Sequence, residues 1–383
     1  MYVEIGDLPV WRGVQDKPGF EIMNFSLYLE NDLVRLKIPD IKKKQIAKSY
    51  GDRDYTFITS PPGASEWGNR LGNFYFKILS TWIGSLSGKT VLEIGSGTLF
   101  IGNKIINDLN AKYFIACDPA LIINNVNSKI LIEKKFFSYD LLASNSGNID
   151  LIISINNLEH ILDFKQYLDD VHRLLKTETG LFFVVVPDCS RGFIQGDLGI
   201  CVHEHLTYFT PATLNSTLTN AGFSIEKMSS WEDTIFVLAK PISNNLSQKN
   251  GIARSKQMIE NFRDNIDSNL ELIKTTLDQY KIRGPVALHG CCVGLNNILG
   301  LLDIHDDPAI YLFDGDLQKQ GRYLPVYNRP ILSSEDNRYR EMKTVLIAAL
   351  TYYEEIKTGL QITHNIPSNS IYPIIPGLNQ EGK

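Results

Sequence analysis

Short apolar runs recur through the middle of the chain at 91–94, 113–116, 130–137, 151–155, 181–186 and 235–239, separated by stretches with helical spacing. That alternation predicts a parallel sheet covered by helices, because strands buried on both faces read as continuous apolar runs. The first run leads into Gly95-Ser96-Gly97 and a helix over 99–109. A polar stretch at 243–251 interrupts the pattern and reads as a linker before a long helix over 253–280. A second, smaller alternation follows, with strands at 286–289, 310–314 and 344–348 and helices over 293–302 and 352–362. Before residue 88 the period is weak, apart from a loop signal at 60–63 and a helix over 65–86. The expected class is α/β: a Rossmann-like domain over 86–242, a smaller Rossmann-like domain over 252–383, and an N-terminal lid or substrate-binding region over 1–85.

Composition narrows the partners. The 383 residues carry a net charge of −5 and no dense basic stripe, which argues against nucleic acid. The run Lys42-Lys43-Lys44 reads as a solvated face. No apolar run approaches ~18 residues, so no membrane span is expected. Glu4 and Asp7 do not fit a charged-then-apolar leader. The five cysteines are odd in number and lack a C-x-x-C pair, which disfavours a disulfide scaffold or cysteine zinc site and suits the cytoplasm. Oligomeric state is not readable from the sequence.

Gly95 and Gly97 mark a turn where backbone can approach a ligand closely. A dinucleotide fingerprint would require glycine at position 100, where Phe100 stands; the next glycine is Gly102. In a doubly wound sheet the ligand lies at the carboxyl ends of the strands. Asp118, Asp140 and Asn156 fall at the ends of successive runs, and Glu93 lies two residues before Gly95. The segment 90–98 resembles motif I of class I S-adenosylmethionine (SAM)-dependent methyltransferases. Segments 149–163, 167–175 and 180–187 are similar to the central block of small-molecule members. The resemblance implies SAM as cofactor, with Glu93, Gly95, Gly97, Asp118, Asp140 and Asn156 around it. Asp118 would accept from the ribose hydroxyls and Asp140 from the adenine amino group.

The second concentrated signal is His203-Glu204-His205, just past the fifth run. Imidazole titrates near ~6.5 and can take a proton at neutral pH. His203 and His205 could also be metal ligands with His160 as a third, or structural; no metal is expected. Thr210-Pro211-Ala212-Thr213 reads as a helix cap followed by a first-turn proline.

Residues 203–209 and 221–223 resemble the family of C-methyltransferases acting on nucleotide-linked deoxysugars. Residues 313–316, 319–325, 330–331 and 353–356 are similar to that family's C-terminal domain. The resemblance implies a nucleotide-linked keto-sugar substrate, His205 as the base that removes the proton alpha to the keto group, and His160 on the enolate oxygen. It implies His203 and Glu204 beside them, with Tyr50, Tyr55, Tyr208, Arg322 and Tyr353 toward the substrate. The chain departs from the family in having no cysteine before Cys117 and in carrying Val202 before His203. Sugar O-methylation and SAM or nucleotide-sugar binding without turnover remain the alternatives.

Overall fold

The computed structural model describes residues 2–52, 62–63, 66–121, 127–145, 147–177, 179–242 and 252–375. The linker at 243–251 and residues 60 and 61 of the 60–63 loop lie outside these residues. The chain forms two compact units, each assembled from separate stretches of sequence. One contains Glu30–Ser190 and Glu204–Ile252; the other contains Met1–Leu29, Arg191–His203 and Ala253–Lys383. The N-terminal 1–85 region is therefore divided between the two, and 191–203 separates from the rest of 86–242.

The first unit is built on seven strands in the order Phe223–Trp231, Thr234–Pro241, Leu181–Pro187, Leu151–Ile155, Thr90–Ile94, Tyr113–Cys117 and Ile130–Glu133. The last five of these are mutually parallel. Successive side chains point to opposite faces of a strand. Leu92, Ile152, Phe182 and Val184 accordingly enter one buried cluster, while Val91, Ile153, Phe183 and Val185 enter the other. Burial on both faces is why these strands appeared as unbroken apolar runs. The run at 130–137 yields only four strand residues, because its pairing partner ends at Cys117 opposite Glu133.

The helix expected over 65–86 spans Glu66–Ile83, and Gly84 at φ +73° ends it. Thr210 caps the helix Pro211–Asn220 in a reciprocal box with Thr213, as the sequence signal indicated. The strand Phe223–Trp231 was not legible, since most of its side chains are polar or exposed. It pairs antiparallel with Thr234–Pro241 through Glu232 and Asp233, both at positive φ, which suits a tight hairpin.

The second unit carries five parallel strands in the order Leu332–Ser333, Ile310–Asp314, Val286–His289, Thr344–Ile347 and Ile371–Pro373. The long helix runs over Ile252–Arg283. An antiparallel hairpin, Tyr2–Pro9 with Ile22–Glu30, was not expected. It joins this unit through apolar contact: a Cβ on Gly300, in the helix Val293–Leu301, would come within 2.8 Å of Pro9. Among the described residues, no helix is long and apolar enough to cross a membrane.

Candidate active site

The glycine turn follows the central strand Thr90–Ile94, beside the point where strand order reverses between Leu151–Ile155 and Tyr113–Cys117. Gly95 and Gly97 have φ of +80° and +51°, a region that side chains disfavour. Their environments differ. A Cβ on Gly95 would lie 3.2 Å from Asn157, so this glycine serves close packing within the chain. A Cβ on Gly97 would meet nothing within 4 Å, so its backbone borders open space. Gly102 has a third role, since a Cβ there would strike the Phe114 ring at 2.6 Å; its absence lets the helix Phe100–Asp108 sit on the sheet.

Asp118 braces the turn. Its Oδ2 accepts from the Gly97 N–H at 2.8 Å and its Oδ1 from the Ala120 N–H at 2.7 Å. Burial nevertheless raises its pKa, with those two bonds opposing the rise. Glu93 is buried, and its Oε2 has no hydrogen-bond partner among the described residues. Burial, reinforced by the nearby Asp118 charge, pushes its pKa well up. An open backbone edge, a braced acid and an orphaned buried carboxylate oxygen fit a ligand with hydroxyl and ammonium donors, as SAM has. Asp140 is exposed at the start of the 3₁₀ turn Asp140–Asn145. Asn156 is exposed at φ +47°, with Nδ2 donating to the Tyr75 hydroxyl at 3.4 Å.

Below the Leu151–Ile155 strand end, Tyr167 donates to Ser154 Oγ at 2.9 Å and accepts from Asn157 Nδ2 at 3.2 Å. This buried network fixes Asn157 against Gly95. It escaped the sequence reading because its members lie in three different local patterns.

The His203-Glu204-His205 string divides between the two units, His203 in one and Glu204 and His205 in the other. His203 is buried edge-on against Phe25, with ring centroids 5.3 Å apart, and its Nε2 donates to the Met23 carbonyl at 3.3 Å. Burial pushes its pKa down to about 4. These contacts give His203 a structural place within its own unit.

His205 instead meets His160, ring centroids 4.8 Å apart and planes at 76°. His160 Nδ1 bonds the Glu204 carbonyl at 3.1 Å. A carbonyl only accepts, so Nδ1 carries the proton and Nε2 the lone pair. Burial lowers the pKa of His160 to about 4 and that of His205 well below its usual value, the latter helped by His160. Burial thus favours the uncharged form of both rings. The Tyr208 ring lies 6.3 Å from His205.

Two participants in this cluster were missed in the sequence. Glu159 is almost fully buried beside His160, and burial raises its pKa to about 8. Its position immediately before His160 was the available signal. Arg35, also buried, donates from Nη1 to Thr207 Oγ1 at 2.9 Å and from Nη2 to the Leu162 carbonyl at 3.1 Å. It thus ties together the two segments that carry His205 and His160.

The remaining candidates lie apart from this cluster in sequence. Arg322 and Tyr353 belong to the other unit. Arg322 pairs with Asp16 at 3.0 Å, and Tyr353 is buried with its hydroxyl donating to the Ile371 carbonyl at 3.1 Å. Tyr353 therefore packs in the core of its unit. Tyr50 is described only as a position in the helix Asp40–Asp52, and Tyr55 lies outside the described residues.

Residues 70–228 match a family model described as a methyltransferase domain, and residues 244–374 match one described as a C-methyltransferase C-terminal domain. A comparison with curated proteins finds no match. Three of the solved structures that align with part of the chain are as follows. A chain of the Haloferax volcanii complex between the Trm112 methyltransferase activator and a methyltransferase has a TM-score of 0.39 and 12% identity, covering 47% of this chain and 94% of its own. A Listeria monocytogenes SAM-dependent methyltransferase gives 0.36 and 16%, covering 45% and 99%. One from Mesorhizobium loti gives 0.34 and 14%, covering 43% and 95%.

The doubly wound sheet, the glycine turn at its switch point and the matched domain define a class I methyltransferase that uses SAM. More particularly, the chain is a SAM-dependent methyltransferase with a C-methyltransferase C-terminal domain.

Proposed function

We propose that the enzyme C-methylates a nucleotide-linked keto-deoxysugar through an enolate. The single observation that carries this reading is the edge-to-face contact between the buried imidazoles of His160 and His205. The matched C-methyltransferase C-terminal domain supports the same reaction type. His205 takes the proton alpha to the keto group, breaking the C–H bond and leaving the electron pair on the carbon and the keto oxygen. His160 gives its Nδ1–H to the Glu204 carbonyl and carries a lone pair at Nε2, so it has no N–H left for the enolate oxygen and instead positions His205 through their ring contact. Glu204, whose carbonyl orients His160, keeps that ring in one tautomer. Arg35 keeps the two histidine segments in register.

SAM would be held by Glu93, Asp118 and Asn156 near the strand ends, by Asp140 at the start of its 3₁₀ turn and by the backbone at Gly97; when bound, it supplies an electrophilic methyl group. Holding the reacting carbon in place accounts for most of the rate in this scheme. Tyr208, whose ring lies 6.3 Å from His205, is the candidate for contact with the substrate in this unit. The fold of work between the regions follows the same reading, with the N-terminal stretch and the C-terminal domain serving substrate capture. A cytoplasmic setting goes with this reading.

The test is methyl transfer from SAM to a panel of nucleotide-linked 4-keto-deoxysugars, with the product position read by NMR. A new C–CH₃ group supports the proposal. A methyl ether would make the enzyme an O-methyltransferase, and no transfer to any sugar would favour a binding protein.

A further inference from the structure

The neighbourhood of His160 contains chemistry that proton transfer does not use. Glu159 is 1% exposed, and neither carboxylate oxygen has a hydrogen-bond partner among the described residues. A carboxylate in such a place is costly unless a counter-charge or donor meets it. Its Oε1 stands 3.7 Å from His160 Nε2, too long for a hydrogen bond. Donors that share one metal ion at about 2.0–2.2 Å stand roughly 3–4 Å apart. One donor atom from each of Glu159, His160 and His205 lies within 4.8 Å of the others.

We propose that Glu159, His160 and His205 form a binding site for one divalent first-row metal ion of the zinc class. Two imidazoles and one carboxylate are a donor set that suits borderline ions and not magnesium or calcium. The supporting shell is already built. The His160 Nδ1–H is donated to the Glu204 carbonyl, which is how metal-bound histidines are commonly oriented, and it directs Nε2 toward Glu159. The Leu206 N–H donates to the Glu159 carbonyl at 2.8 Å, fixing the turn Leu158–His160 against the segment that carries His205. Three protein donors leave a coordination position for water or a substrate oxygen. The ligands come from one short turn and a loop more than forty residues later, so no sequence spacing announces them.

A consequence follows for turnover, and it rests on the reading of His205 as base. A metal ion takes the lone pair that His205 would use to accept a proton, so the loaded protein loses proton abstraction and a chelator restores it. Zinc-class ions would then act as inhibitors of this enzyme.

The experiment is titration of the chelator-treated, full-length protein with cobalt(II), followed by visible absorption, with zinc content measured by mass spectrometry after dialysis. One equivalent of cobalt should bind. Glu159→Gln, nearly isosteric, and His160→Ala should each weaken it at least tenfold, while His203→Ala should leave it unchanged; circular dichroism checks that each variant is folded. No stoichiometric binding, or binding that survives both Glu159→Gln and His160→Ala in folded protein, overturns the site. Alpha-proton exchange that persists in the metal-loaded protein overturns the inhibition. Cobalt binding by a protein that exchanges no proton even when metal-free supports the site and contradicts the sugar-enolate reading instead.

Discussion

His160 and His205 meet edge to face with ring centroids 4.8 Å apart, although forty-four positions separate the Glu204 carbonyl that orients the first ring from that ring itself. Their roles in the proposed reaction differ, and so should their variants. His205→Gln should lower methyl transfer by about 10²–10⁴-fold, the range for loss of a general base. His160→Ala should lower it by a smaller factor, through loss of the ring that packs against His205 and positions it. SAM affinity measured by calorimetry should change little in either. A comparable loss of SAM binding would remove His205 from the base role.

Asp118 should act on the cofactor alone. Its two backbone bonds brace the Gly97 turn, and in the proposed reading it also accepts from the ribose hydroxyls. Asp118→Ala should weaken SAM by about 1.5–3 kcal/mol per charge-assisted bond lost. Calorimetry reads this directly, and unchanged affinity would mean that the ribose is held elsewhere.

Arg35 is a positioning residue whose effect should appear in kcat. Arg35→Lys retains the charge but cannot span Thr207 and the Leu162 carbonyl in the same fork. The variant should fold, lose about 1–3 kcal/mol of stability from its buried partners, and lower kcat more than KM. A purely structural role would show the stability loss in urea melts with kcat unchanged.

Asp150 gives the fold an acid-side dependence. Burial would raise its pKa, but the bonds from Lys176 at 2.6 Å, the Thr90 N–H at 2.8 Å and Lys89 at 3.3 Å outweigh it and lower the pKa below 3.8. A depressed native pKa contributes stability that is present above the unfolded value and is lost as pH falls through the native one. Asp150→Asn should therefore flatten the stability–pH curve below about pH 4 and reduce stability at neutral pH. An unchanged acid limb in thermal melts would contradict this.

The sequence disclosed what local periodicity encodes. Val91 to Ile94 and Leu181 to Val186 were legible as strands because both of their faces are buried, and Thr210-Pro211 because a cap is a local device. Phe223–Trp231 and Tyr2–Pro9 were hidden because each has exposed positions and depends on a distant or antiparallel partner. At the site, adjacency in sequence misled. His203 and His205 are two residues apart, yet the chain passes from one unit to the other between them. Conversely, Arg35 and Thr207 are 172 positions apart and share a hydrogen bond. Glu159 was overlooked because a carboxylate in a short turn looks like surface until the burial of that turn is known.

The central claim is that His205 makes an enolate, and alpha-proton exchange tests it without requiring methyl transfer. The metal-free enzyme is incubated with a nucleotide-linked 4-keto-deoxysugar in deuterated water, and the alpha carbon is followed by NMR. The account predicts deuterium entry at that carbon in the native enzyme and its absence in His205→Gln. Methyl transfer from SAM by an enzyme that exchanges no alpha proton would contradict it.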